Sequence, residues 1–167
     1  MTIIADTTPL RYLIEIEEIH ILEELFGRVI IPQAVFDELQ DPRTPQKVKV
    51  WMQSHPDWLE LRQADISVFT PQKIIGAGER EALALALELK ADAVLMDDKG
   101  ATREARRLNI RAIPTFFLLE QAAEKNLLDL PQAIAKIGQT GFYSPPEAVI
   151  QAMLERDRQR REAEEKQ

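Results

Sequence analysis

Short runs of aliphatic residues alternate along this chain with longer stretches in which apolar side chains return every three or four positions. Thr2 to Ala5 predicts a strand ending at Asp6. Thr7 or Thr8 then stands where a helix cap is needed, and Pro9 suits the first turn, which has no use for its missing amide hydrogen. Leu10, Leu13, Ile14, Leu22, Leu25 and Phe26 make an apolar stripe over two short helices that break near Ile19–His20 and end at Gly27. Val29 to Ile31 predicts the second strand, and Pro32 opens a helix that runs to Leu39.

The segment QDPRTPQ, Gln40 to Gln46, reads as a loop from its prolines. A helix over Lys47–Gln53, a break at His55–Pro56 and a strand over Leu59–Arg62 follow. From Glu79 to Lys90 the residues Ala82, Leu83, Leu85, Ala86, Leu87 and Leu89 leave almost no polar face, which predicts a helix buried on most sides. Ala93 to Met96 is continuously apolar and ends in Asp97–Asp98, the pattern of a central parallel strand. A charged helix over Thr102–Leu108, a strand over Arg111–Ile113 and a helix from Thr115 towards Lys125 complete the series. Strands and helices alternating at this spacing predict an α/β domain, a parallel sheet covered on both faces. The expected domain is 1–150, and 151–167 loses its apolar content to become a charge-dense helix or a disordered end.

Composition narrows the picture. The chain has 167 residues, enough for one full core and marginal for two. No apolar run approaches the roughly 18 residues that span a bilayer, and the start MTIIADTTPL has neither the basic region nor the cleavage site of a secretory signal. With no cysteine, a disulfide scaffold, an iron–sulfur cluster and a thiolate zinc site are excluded, and the cytoplasm is the expected compartment. The formal charge of −7 argues against tight nonspecific coating of nucleic acid. It is compatible with a site that grips phosphate through metal ions, because a carboxylate cluster itself makes a chain acidic.

In open parallel sheets, ligands collect at the carboxyl ends of the strands. Asp6 and Asp97 stand at such ends, Glu79 opens the buried helix, and Glu38 lies on the helix after the second strand. Carboxylates gathered in a partly dry pocket either take up protons or bind a cation. Oxygen donors alone, with only His20 and His55 besides, point to Mg²⁺ or Mn²⁺. Each acid also has a plainer use. Asp6 can cap a helix, Glu38 can be a solvated helix residue, Asp97–Asp98 can form a turn, and Glu79 can complement a helix N-terminus by about 0.3–1 kcal/mol.

The segments IIADTTPLRYL, VIIPQAVFDEL, GAGEREALALALELKADAVLMDDKGATREA and IRAIPTFFLL resemble the PIN-domain family, and within it the compact relatives of VapC toxins. The resemblance runs from Thr2 to Leu128. It implies a three-layer α/β/α sandwich, an acidic pocket holding Mg²⁺ or Mn²⁺, and endoribonuclease activity. It places Asp6, Glu38, Glu79 and Asp97 as the catalytic and metal-ligating acids, with Asp98 competing for the fourth position. Thr7 or Thr8 would be the hydroxyl beside the metal. The stretch Asp97–Arg103 lacks the Asp-Phe ending of many such toxins, and instead carries Arg103, which can bind phosphate, pair with Asp98 or lie in solvent. An RNA substrate, an antitoxin protein and a homodimer are the partners implied.

Other features are weaker. His20 and His55 sit near a helix end and a Pro turn, away from the acids. Gly76-Ala77-Gly78 lacks the lysine and spacing of a phosphate loop. Trp51 and Trp58 suit core or dimer packing as well as base stacking, and Arg156, Arg158, Arg160 and Arg161 are interleaved with glutamates as on a solvated helix. A receiver would need a late-strand Lys that Arg111–Thr115 does not supply, and an aspartyl phosphatase would need Asp where Thr8 stands. The remaining alternative is a nucleic-acid- or protein-binding module without turnover.

Overall fold

The computed structural model describes residues 1–167 and builds one sheet from β1 (Ile3–Ala5), β2 (Val29–Pro32), β3 (Leu59–Arg62), β4 (Ala93–Leu95) and β5 (Ala112–Ile113). Every neighbouring pair is parallel, in the order β3-β2-β1-β4-β5. Successive side chains of a strand face opposite ways, so a continuously apolar strand must feed two cores. Ile3 and Ala5, Val29 and Ile31, and Ala93 and Leu95 go to one. Ile4, Ile30, Val94 and Met96 go to the other.

The larger core is closed by α1 (Thr7–Glu15), α2 (Ile21–Phe26), α3 (Gln33–Glu38), α4 (Gln46–Gln53) and α7 (Thr115–Glu124), joined by α8 (Leu130–Ile137) and α9 (Glu147–Glu165). The smaller core is covered by α5 (Ala77–Leu89) and α6 (Lys99–Arg107). This is the α/β/α sandwich, and the nearly all-apolar α5 is buried through Ala82–Ala86 as its composition requires.

Several boundaries differ from the sequence expectation. Asp6, not Thr7 or Thr8, occupies the cap position of α1, and its side chain makes no capping bond there. The charged helix α6 starts at Lys99 rather than Thr102, because the Asp98 carboxylate accepts from the Ala101 amide at 2.9 Å and caps it. Helix α8 has no counterpart in the expected series. Its cap is Asp129, accepting from the Gln132 amide at 3.0 Å, and Pro131 lies in its first turn. Helix α9 lays Met153 against the larger core and buries Asp157, which is ion-paired to Arg160 and Arg161. No helix is long and apolar enough to cross a membrane.

Candidate active site

The strand order fixes where chemistry can gather. From β1 the chain crosses to β2 on one side, and later to β4 on the other, so the switch point lies between β1 and β4. Ala5 pairs with Leu95, and the Asp6 amide donates to the Leu95 carbonyl at 2.9 Å. Asp6 and Asp97 therefore leave two adjacent strands at the carboxyl edge, where loops diverge and leave a crevice.

Asp6 is 3% exposed, and its Oδ1 is buried without a hydrogen-bond partner. Burial pushes its carboxyl up to about 7, against the lowering effect of the Thr7 amide. The fields of Glu79, Glu38 and Asp97 raise it further. The three neighbours come from separate elements, and the fold sets each of them within the electrostatic field of Asp6.

Each neighbour is held by its own donors. Glu38 Oε1 accepts from the Gly78 amide at 2.9 Å, and its other oxygen accepts from the Thr7 hydroxyl. Glu79 Oε2 accepts from the Gly76 amide at 2.6 Å, closing the first turn of its own helix. Burial raises the Glu79 carboxyl, opposed by that bond and assisted by Asp98 and Glu38. Asp97 accepts from the Thr115 amide at 2.9 Å and hydroxyl at 2.6 Å, and burial raises it against both bonds. Asp98 is exposed and spends its carboxylate on capping α6, so Asp97 rather than Asp98 lies in the field of Asp6.

No three acidic or histidine side chains lie close enough to share one ion. The chemistry of the acids still suits a hard divalent cation: every side-chain donor near Asp6 is an oxygen, and Asp6 Oδ1 is buried and unpartnered.

Two hollows border the acids. A groove of about 1070 Å³ touches Thr8, Glu79, Asp97 and Asp98 and runs along Phe117, Tyr143 and α9. A smaller one of about 370 Å³ touches Asp97 and the α6 side chains Lys99, Thr102, Arg103 and Arg106. Of the three uses open to Arg103, pairing with Asp98 does not occur: the guanidinium is exposed at this second hollow. The tail arginines are engaged elsewhere, Arg156 with Glu120, Arg158 with Glu155 and Glu162, and Arg160 and Arg161 with Asp157.

A family model for the PIN domain (DUF3368) matches residues 2–158. The chain belongs to the PIN-domain family. PIN domains are generally nucleases and typically use divalent metals. No curated protein matches this PIN domain. Among solved structures it is similar to a PilT N-terminus domain protein, SSO1118, from the hyperthermophilic archaeon Sulfolobus solfataricus P2. The two share 17% identity, with 87% of this chain and 100% of that one covered and a TM-score of 0.40.

Sequence reading missed Thr115 and Gly78, which hold Asp97 and Glu38. Thr115 carried a usable signal, since it follows the last strand at the edge where Asp6 and Asp97 were sought. Gly78 carried a weaker one, in the small residues that open α5. Trp51 and Trp58 pack on each other with ring centres 6.0 Å apart beside the larger core. His20 lies by Glu18, and His55 against Phe36.

Proposed function

We propose that this PIN domain is a metal-dependent endoribonuclease that hydrolyses RNA phosphodiester bonds. The observation that carries the reading is Asp6, a buried carboxylate with an unpartnered oxygen at the sheet's switch point, surrounded by Glu38, Glu79 and Asp97. A buried oxygen of that kind demands a proton or a cation.

Asp6, Glu38, Glu79 and Asp97 would hold Mg²⁺ or Mn²⁺, with Asp98 at the rim. When bound, such an ion supplies charge neutralisation at the phosphate and acidifies a water. The chain's own residues do the positioning. Thr7 and the Gly78 amide aim Glu38, Thr115 aims Asp97, and the half-buried Thr8 lines the groove beside them. Arg103 offers a cation to the substrate's phosphates. On the resemblance to VapC relatives, the proposal extends to a cytoplasmic toxin that acts as a homodimer and is restrained by an antitoxin protein.

The test is cleavage of an RNA pool in Mn²⁺ or Mg²⁺, abolished by EDTA and by Asp6→Asn. Wild-type cleavage that survives both treatments overturns the proposal. Binding of Mn²⁺ with no cleavage of any RNA would leave a binding module in its place.

A further inference from the structure

The two hollows beside the acids share Asp97, Lys99 and Pro114 and differ in chemistry. On one side, Phe117 is 40% and Tyr143 91% exposed, in a chain where most large apolar side chains are buried. On the other, Lys99, Arg103 and Arg106 stand at positions i, i+4 and i+7 of α6, which is one helix face. They hold no ion-paired acid, whereas Arg107 next to them is tied to Glu104 and the tail arginines are tied to glutamates and Asp157. A chain of net charge −7 thus keeps a free cationic face on one side of Asp97 and exposed aromatic rings on the other, in a groove that also carries Glu79, Asp98 and the Arg156-paired Glu120.

An unpaired nucleic-acid strand has the matching asymmetry, with phosphates along one edge and stackable bases along the other. Base–aromatic stacking tolerates any base, and Lys and Arg neutralise the backbone. We infer that the groove is a nucleobase subsite in which a base of an unpaired strand stacks on Tyr143, while the Lys99–Arg103–Arg106 face carries that strand's phosphates past Asp97. A base inside a duplex is already stacked on both neighbours and has no free face for Tyr143, so the contact favours single strands.

The inference rests on the nucleic-acid reading above, and binding is therefore scored apart from cleavage. The probe is a short fluorescein-labelled oligouridylate, titrated with the full chain in EDTA at low salt and followed by anisotropy. Tyr143→Ala should weaken binding about tenfold, Tyr143→Phe should stay within about twofold, and annealing the probe to its complement should weaken binding about tenfold. Replacing Lys99, Arg103 and Arg106 together by Gln should flatten the salt dependence. Tyr143→Ala binding as tightly as wild type, or a duplex binding as well as the single strand, overturns the inference. The two readings separate cleanly. These contrasts without cleavage in Mn²⁺ retain the subsite and retire the nuclease, whereas cleavage with an indifferent Tyr143→Ala does the reverse.

Discussion

Glu38 on α3 is tied to the backbone of Gly78 on α5, its Oε1 accepting the Gly78 amide at 2.9 Å. A β-carbon at Gly78 would stand 2.6 Å from Glu38 Oε2, so the carboxylate sits where any side chain at that position would be. Gly78→Ala should therefore displace Glu38 and leave the sheet alone. RNA cleavage should fall about 100-fold with little change in melting temperature, since misplacing a catalytic group by about 1 Å has that cost. Full activity in Gly78→Ala would show that Glu38 has no part in the chemistry.

Thr115 makes a similar support for Asp97, with two bonds from one residue that is itself fully buried. Thr115→Val keeps the shape and the amide but removes the hydroxyl, leaving a half-buried carboxylate oxygen short of a donor. Unfolding free energy should drop by about 1–3 kcal/mol. Thr115→Ser should restore both stability and cleavage. Denaturant titration of the three proteins side by side decides it.

The buried Asp6 gives the metal-free protein a pH dependence of unusual sign for a carboxylate. Its folded pKa is raised from 3.8 to about 7, so between those values the native state holds a proton that the unfolded chain has lost. Stability must then fall as pH rises from about 4 to 7, by up to about 4 kcal/mol at about 1.4 kcal/mol per pKa unit. Glu79 and Asp97 are shifted in the same direction and add to the slope. Asp6→Asn should flatten the curve and make the metal-free protein more stable than wild type at pH 8. Mn²⁺ should raise the wild-type melting temperature more at pH 8 than at pH 5, because there it need not displace a proton. A flat profile in EDTA would contradict the burial of a titrating Asp6.

Arg158 is bound on both sides, by Glu155 and Glu162 of its own helix, and is exposed. Arg158→Ala should leave RNA binding and cleavage unchanged, whereas Arg103→Ala should weaken binding and lower its salt dependence. Equal losses in the two variants would mean that the tail meets the substrate.

Much of the sheet was legible because its signal is local. Ala93–Met96 can hardly be anything but a doubly covered strand, and the Asp6 and Asp97 ends follow from that. Helix α8 was not, since Asp129-Leu130-Pro131 reads equally as a turn and eight residues are too few to establish a period. The distinct surroundings of Asp97, which faces Asp6, and Asp98, which caps α6, were closed to local reasoning for a different reason. Two adjacent acids look alike in sequence, and what turns one inward is Thr115, 18 positions on. The tail was legible in part: its interleaved charges gave a solvated helix, but not the burial of Asp157 between Arg160 and Arg161.

Strand β1 is the third of five across the sheet, and its register with β4 joins residues 90 positions apart. During synthesis the first strand therefore waits, with one edge bare, until more than half of the chain has left the ribosome. Asp6 and Asp97 meet only after that closure, so a growing polypeptide carries all the N-terminal parts of the acidic centre without having one. The order of synthesis thus sets the moment at which the two carboxylates first face each other.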